Sequence, residues 1–142
     1  MKIHTTNYQN TFIEVAEDCP VSVSEVPPSK KTETAAEIQF RLIRNNPYLF
    51  TSDDLVFETY AVKNNLTDSE KPDERIKFFS KGQPCLRSSA LSKRYGFGIH
   101  HDEDSKIALF PVESDGYRQF LADDSVKKVK AMRSKRSRSE TN

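Results

Sequence analysis

The chain has 142 residues, of which 35% are hydrophobic and 30% are charged, and it contains 9 Phe and 5 Tyr. A chain of this length can bury well over half of its unfolded surface in one core, and its aromatic content argues against a disordered protein. No apolar run approaches the roughly 18 residues that cross a bilayer, and the first residues lack the apolar core of a signal peptide. The composition therefore predicts one cytoplasmic domain without membrane contact, in which Cys19 and Cys85 stay reduced.

Charge is distributed unevenly along the chain. Residues 1–126 carry 15 Lys and Arg against 20 Asp and Glu, whereas residues 127–142 carry 7 against 1. The C-terminal segment is thus strongly basic and is attached to a mildly acidic body. Because no apolar residue follows Arg133, we predict a single domain over residues 1–133 and a disordered basic tail over residues 134–142.

The first elements in the chain are predicted from residue type and from helix caps. β-Branched and aromatic residues predict a strand over residues 11–16, followed by an extended connection over residues 21–31. Thr34 and Glu37 have the spacing of a capping box, which predicts a helix that ends near Asn45. The chain therefore opens with one strand and one helix.

Two more helices are predicted before residue 83. Acidic residues after Thr51 favour a helix start, and this second helix should end near residue 64. A third helix is predicted to begin between residues 67 and 72 and to end at Gly82. It should pack through its apolar residues, which are Ile76, Phe78 and Phe79.

The pattern then changes from helical to alternating. A short helix is predicted over residues 88–94, closed by Gly96, and two alternating segments on either side of residues 102–105 predict a β-hairpin. Because an isolated hairpin is only marginally stable, we expect the early strand to join it in a small antiparallel sheet. Helices packed on that sheet give an α+β fold.

Two helices are predicted at the end of the domain. Ser114 can cap the first of them, and Asp124 can cap the second. The last helix should direct three apolar residues inward, namely Val126, Val129 and Met132.

Four segments spread along the chain form a distinctive set. They are HTTNY over residues 4–8, FIEVAEDCP over residues 12–20, FFSKGQPCLR over residues 78–87 and KRYGFGIH over residues 93–100. This set resembles an uncharacterised family of short bacterial cytoplasmic proteins, a domain of unknown function. The resemblance spans nearly the whole chain, and it implies no activity.

Cys85 is the candidate nucleophile. It precedes a predicted helix start, and four cationic side chains lie near it in the sequence, namely Lys81, Arg87, Lys93 and Arg94. Both features favour a thiolate, and His100 or His101 could then act as the base. This pattern gives one functional hypothesis, a cysteine-dependent enzyme or redox sensor. A cysteine between Pro84 and Leu86 is also typical of a small buried apolar residue.

The two adjacent histidines must point to opposite faces of the predicted strand. His101 should share a face with Phe97 and Ile99, and His100 should share the other face with Gly98. A zinc site from Cys19, Cys85, His4 and one hairpin histidine has enough ligands but no local ligand pair, so we expect no metal and no cofactor. The acidic residues of the second and third helices are where the helix dipole favours them.

The function that we favour from the sequence is non-enzymatic binding or regulation. A basic pocket between the 88–94 helix and the hairpin would hold an anionic ligand or a protein partner. Its ligand-binding residues would be Lys81, Arg87, Lys93, Arg94, Tyr95 and His100. Gly96 and Gly98 would leave room for the ligand.

The basic tail supports a third hypothesis, association with nucleic acid. Clustered Lys and Arg over Lys127–Arg138 are typical of contacts to a phosphate backbone. The same pattern is typical of a solubilising chain end, and the tail lacks aromatic residues for base stacking. Glycine-rich phosphate loops and the HExxH and GxSxG motifs are absent from the sequence.

Overall fold

The computed structural model describes residues 3–135, which form four strands and five α-helices. The strands are β1 (Thr11–Glu14), β2 (Phe97–His101), β3 (Ile107–Pro111) and β4 (Lys127–Lys130). The helices are α1 (Ala35–Asn45), α2 (Ser52–Lys63), α3 (Lys71–Phe79), α4 (Ala90–Lys93) and α5 (Asp115–Ala122), and a 3-10 turn over Leu86–Ser88 precedes α4. The α+β class predicted from the sequence is therefore confirmed.

The sheet has the strand order β3-β2-β1-β4. β2 and β3 form the predicted hairpin, and β1 pairs with β2 in the antiparallel direction, so that Ile13 lies opposite Ile99. The early strand thus completes the sheet as expected. Its position in the middle leaves its second edge in need of hydrogen-bond partners.

β4 pairs with that second edge of β1. The last helix that the sequence predicts is therefore wrong. Lys127–Lys130 runs parallel to β1, with Thr11 opposite Lys127, and the sheet is mixed rather than antiparallel. The Ala131 N–H donates to the Glu14 carbonyl at 2.9 Å. Val126 is buried as expected, whereas Met132 is 51% exposed. Pairing with the open edge of β1 outweighs the local helical pattern.

Helices α1 and α2 begin where the sequence predicts. Thr34 caps α1 in a capping box with Glu37, and Thr51 caps α2 in the same way with Asp54. α3 ends at Phe79, before Gly82, and it packs through Phe78 and Phe79. The expected contribution of Ile76 is wrong, because this side chain is 55% exposed on a short helix that is covered mainly from the side of α2.

Apolar side chains form separate cores on the two faces of the sheet. The main core lies under α1, α2 and α4 and consists of Ile13, Ala16, Ala36, Ile43, Leu55, Leu86, Leu91, Phe97, Ile99, Ile107 and Ala131. The aromatic core lies under α5, where Phe12 and Tyr117 pack against Phe110 and Phe120. Alternation along β1 and β2 sends neighbouring residues to different cores.

The start of the predicted tail contacts the domain. The backbone N–H groups of Ser134 and Lys135 both donate to the carboxylate of Asp18 at 2.9 Å. The first two residues of the predicted tail are therefore held by the domain, and residues 136–142 lie outside the described residues. Within residues 3–135, no helix is both long enough and apolar enough to cross a membrane.

Candidate ligand-binding cleft

A cleft of about 390 Å³ opens between α1, α2 and the segment that precedes α4. Three parts of the chain line the cleft. The lining residues are Ala35, Ala36 and Gln39 of α1, Val56, Thr59, Tyr60 and Lys63 of α2, and Pro84, Cys85, Leu86, Ser88, Ser89 and Ala90 on the third side. We call this space the helical cleft. Its volume lies within the range of small-molecule sites in proteins.

Small side chains keep the helical cleft open. Ala35 and Ala36 lie in the first turn of α1, and Ala90 begins α4, so no long side chain fills the space between these helix ends. The Ser89 hydroxyl donates to Gln39 Oε1 at 2.6 Å and joins α1 to the start of α4. The walls are thus held at a fixed separation although little side-chain volume lies between them.

Most hydroxyl groups in the cleft already donate to protein atoms. Thr59 Oγ1 donates to the Leu55 carbonyl at 2.7 Å, and Ser88 Oγ donates to the Cys85 carbonyl at 2.8 Å. The polar groups of the cleft that can meet a ligand include the Lys63 ammonium and the Tyr60 hydroxyl. Apolar walls with a few polar groups are the usual composition of a small-molecule site.

Cys85 lies at the edge of the cleft and contacts Tyr8. The residue precedes the 3-10 turn, and its Sγ is 3.2 Å from Tyr8 Oη. Burial, together with the hydrogen bond to Cys85, raises the pKa of Tyr8 to about 12, although the nearby Arg87 opposes this shift. The phenol therefore keeps its proton at neutral pH and can donate to the sulfur.

The segment that carries Tyr8 is fastened to α2. We call residues 4–8 the N-terminal strap. The Thr6 N–H donates to Asp53 Oδ1 at 2.6 Å, and the Asp53 N–H donates to Asn7 Oδ1 at 2.9 Å. The strap thereby positions Tyr8 against Cys85. Reasoning from the sequence did not identify Tyr8 as a site residue, although HTTNY was one of the four distinctive segments.

His101 and His100 occupy opposite faces of the sheet, as predicted. His101 is completely buried, its ring contacts the Tyr8 ring edge-on at 5.3 Å, and neither of its nitrogens has a hydrogen-bond partner among the described residues. Burial lowers the pKa of His101 to about 4. Tyr8 contacts both His101 and Cys85, but the imidazole and the phenol form no hydrogen bond.

His100 lies on the α5 face, away from Cys85. Its Nδ1 is 2.8 Å from Tyr48 Oη, and its ring stacks on Phe120 at 4.1 Å. Burial lowers the pKa of His100 below its usual value. The sheet separates this imidazole from the thiol, so the structure does not bring the predicted Cys85 and His100 together as nucleophile and base.

The cationic residues of the predicted basic pocket are dispersed. Arg87 Nε donates to the Lys130 carbonyl at 2.7 Å, Lys81 lies beside Lys77 in a different depression, and Arg94 lies beside Lys135. Lys93 ends α4, and Tyr95 packs against the main core. The predicted ligand-binding residues therefore occupy several parts of the surface.

The two glycines of that predicted pocket do not leave room for a ligand. A Cβ atom at Gly98 would lie 2.3 Å from Phe12 and 2.7 Å from Tyr117, so the two aromatic rings fill this space. Gly96 has a φ of 82° and packs against the backbone of Ser24. The access that we expected at these positions is therefore wrong.

The candidate metal ligands are not grouped. Within residues 3–135, no three His, Cys, Asp or Glu side chains are placed to hold a metal ion. Two acidic residues of α2 pair with cations of α3 instead: Asp54 pairs with Arg75 at 2.9 Å, and Glu58 pairs with Lys71 at 3.2 Å. The two cysteines are free thiols.

Comparison with known proteins identifies a family but no activity. No curated protein and no solved structure matches the chain. A model of a family of unknown function, DUF6157, matches residues 3–137, which include the strap, the helical cleft and the whole sheet. The chain therefore belongs to the DUF6157 family.

Proposed function

We propose that the protein is a non-enzymatic binding protein that holds a small, largely apolar ligand with an anionic group in the helical cleft. The observation that carries the proposal is the cleft of about 390 Å³, walled by small and apolar side chains of α1, α2 and residues 84–90. Burial of an apolar ligand surface against such walls is the main source of affinity in sites of this kind.

Lys63 is the cation that would recognise the anionic group. It is exposed at the last turn of α2 and lines the cleft, where its flexible side chain can reach a bound carboxylate or phosphate. Tyr60, on the same side of α2, can donate a second hydrogen bond. This assignment keeps the anionic ligand that the sequence favours and moves it from the hairpin to the helices.

Narrowing the cleft should release the ligand. Ala35→Phe places a ring where the cleft begins at α1, and we expect it to remove most of any ligand that copurifies with the wild-type protein from its own host. Native mass spectrometry before and after denaturation measures that bound mass. Ala122→Phe is the matched control, because Ala122 is exposed at the end of α5.

Either of two results would contradict the binding proposal. The wild-type protein could carry no additional mass and also fail to bind alkyl and aryl carboxylates of a size that fits the cleft. Alternatively, Ala35→Phe could keep the ligand as fully as Ala122→Phe does. In the expected case, Lys63→Gln should weaken binding of the carboxylates and reduce its dependence on salt.

The contact between Cys85 and Tyr8 supports a second candidate, a thiol-based redox sensor. The Cys85 sulfur is a free, partly exposed thiol that contacts the Tyr8 hydroxyl and lines a cleft that admits small molecules, so oxidants and alkylating reagents can reach it. We expect Cys85 to react faster than Cys19 with iodoacetamide at neutral pH, and Tyr8→Phe to change the rate at Cys85 alone. Peptide mapping of the alkylated protein measures both sites. Protection of both thiols in the native protein would exclude this candidate.

A further inference from the structure

An apolar groove lies beside the end of α1, whereas the helical cleft lies at its start. The groove has a volume of about 340 Å³ and separates the last turns of α1 from β3, the strand at the edge of the sheet. Apolar side chains form most of its lining, and they are Phe40, Ile43, Pro47, Phe97, Leu109 and Pro111. We call this space the edge groove. Apolar surface beside a strand edge is typical of sites that bind extended peptides.

The backbone of β3 is open to a further strand at Leu109. In an antiparallel strand, the N–H and C=O groups of alternate residues point to the same side. The Ile107 N–H donates to the Phe50 carbonyl at 2.9 Å, and the Ile107 carbonyl accepts from the Tyr48 N–H at 2.8 Å, so both groups point away from β2. Those of Leu109 point the same way, and neither has a hydrogen-bond partner among residues 3–135. Leu109 can therefore exchange two hydrogen bonds with an added strand.

The edge groove is closed at one end and open at the other. Residues 48–50 already occupy the edge of β3 beside Ile107, so an added strand cannot continue past that point. β3 runs from Ile107 towards Pro111. A peptide that pairs with Leu109 in the antiparallel direction thus enters beside Pro111 and has its C-terminus at the closed end, whereas a parallel peptide would have its N-terminus there.

Arg44 provides a positive charge at the closed end. It is exposed in the last turn of α1, which leads directly into residues 48–50, and its guanidinium lies 5.5 Å from the centre of the Phe40 ring. Within residues 3–135 it pairs with no carboxylate, whereas Arg41 on the same helix pairs with Glu33. A guanidinium binds a carboxylate through two parallel hydrogen bonds. A terminal carboxylate, rather than an N-terminal amine, therefore matches this end of the groove.

The strand pairing also decides which side chain the groove accepts. Residues directly opposite each other in a sheet direct their side chains to the same face. The half-buried Leu109 side chain packs against the main core on the α1 side, so a peptide residue paired with Leu109 directs its side chain into the edge groove. Because the groove is lined by apolar side chains, an aliphatic side chain gains the most from burial there.

We propose that the edge groove binds the C-terminal end of a partner protein as an added strand. An aliphatic residue near the partner's C-terminus pairs with Leu109 and fills the groove, and the terminal carboxylate binds Arg44. A second copy of β3 does not fit, because pairing around Leu109 would set Pro111 of one copy against residues 48–50 of the other. The site is separate from the helical cleft and does not depend on its ligand.

Peptides with free and blocked C-termini test the proposal. A pooled library of random hexapeptides, labelled at the N-terminus, is passed over the immobilised full chain, and the affinities of the retained peptides are measured by fluorescence polarisation. We expect these peptides to carry an aliphatic residue near the C-terminus and to bind about tenfold more weakly when the end is a carboxamide. Retention of no peptide, or equal binding of the two forms, would overturn the proposal.

Substitution of Arg44 tests recognition of the carboxylate. Arg44→Gln should weaken binding of the free-carboxyl peptides by about tenfold and leave binding of the carboxamide forms unchanged. Arg41→Gln is the matched control, because Arg41 is an exposed arginine of the same helix that does not line the groove. Equal weakening by the two variants would show that the carboxylate is attracted by the general charge of α1, and the assignment to the edge groove would be wrong.

Amide hydrogen exchange tests the strand pairing. In the free protein the Leu109 amide should exchange fast, whereas the Ile107 amide, bonded to Phe50, should be protected. A retained peptide should slow exchange at Leu109 by about tenfold or more and leave Ile107 unchanged. Unchanged exchange at Leu109 in the saturated complex would place the peptide elsewhere and overturn the proposal. Slow exchange in the free protein that becomes faster on dilution would assign the edge to a second copy and would also overturn it.

Discussion

Replacing Phe12 by alanine is expected to lower the free energy of unfolding by about 3–5 kcal/mol. Phe12 is completely buried, and its ring contacts those of Tyr117 at 5.0 Å, Phe120 at 5.1 Å and Phe110 at 6.4 Å. Removing it leaves a cavity at the centre of the aromatic core, which α5 alone covers. The relative rigidity of the sheet limits how far the neighbours can collapse into that cavity.

Urea unfolding followed by circular dichroism measures this loss. Ile76→Ala is the matched control, because Ile76 is 55% exposed on α3, and its replacement should change the free energy of unfolding by less than about 1 kcal/mol. Comparable losses for the two variants would show that the aromatic core does not stabilise the fold as argued. Phe12→Leu should recover a large part of the loss, since it restores most of the apolar volume.

Acidification should destabilise the protein through His101. In the unfolded chain this imidazole takes up a proton near pH 6.5, whereas burial lowers its pKa to about 4 in the folded protein. The unfolded state therefore binds more protons between these values, so stability is fully present above about pH 6.5 and falls as the pH decreases towards 4. The total loss attributable to this group is about 3 kcal/mol.

Comparison of the wild-type protein with His101→Phe isolates this contribution. The variant replaces an unpaired buried imidazole by an apolar ring, so its free energy of unfolding should depend far less on pH between 6.5 and 4. His100→Gln serves as the control and should remove a smaller part, because His100 is only half-buried although burial also lowers its pKa. An unchanged pH dependence in His101→Phe would contradict the burial of a neutral His101.

The carboxylates act in a different pH range. The pKa of Asp54 is lowered by hydrogen bonds to Thr51 and by its pair with Arg75, which together outweigh the opposing effect of burial. A carboxyl group with a lowered pKa contributes stability above its unfolded value and loses it as the pH falls further. Measurements above about pH 5 therefore report mainly on the histidines.

Local sequence signals were sufficient to predict most of the helices and strands. The capping boxes at Thr34 and Thr51 located the starts of α1 and α2, because a side chain that satisfies a free helix amide acts within its own turn. Strand alternation alone was enough to assign His100 and His101 to opposite faces. The same local pattern was misleading for residues 127–130, where the spacing of the apolar residues suits a helix but the chain pairs with β1.

The contacts around Cys85 could not be predicted from the sequence, because they join residues that are distant in the chain. Cys85 could be singled out from the sequence, but its partner Tyr8 lies 77 positions earlier and reaches it only because Asp53 fastens the strap to α2. The cationic residues near Cys85 in the sequence point to different parts of the surface, since the 3-10 turn and α4 rotate successive side chains apart.

The sequence by itself determined the α+β class, the caps, the hairpin and the alternation of its faces, because these follow from interactions among residues that are near in the chain. Only the tertiary structure decided the parallel β4, the filling of the space at Gly98 by aromatic rings and the opening of the helical cleft. Each of these depends on which surfaces meet after the chain folds, and hydrogen-bond satisfaction and close packing select that arrangement over local preference.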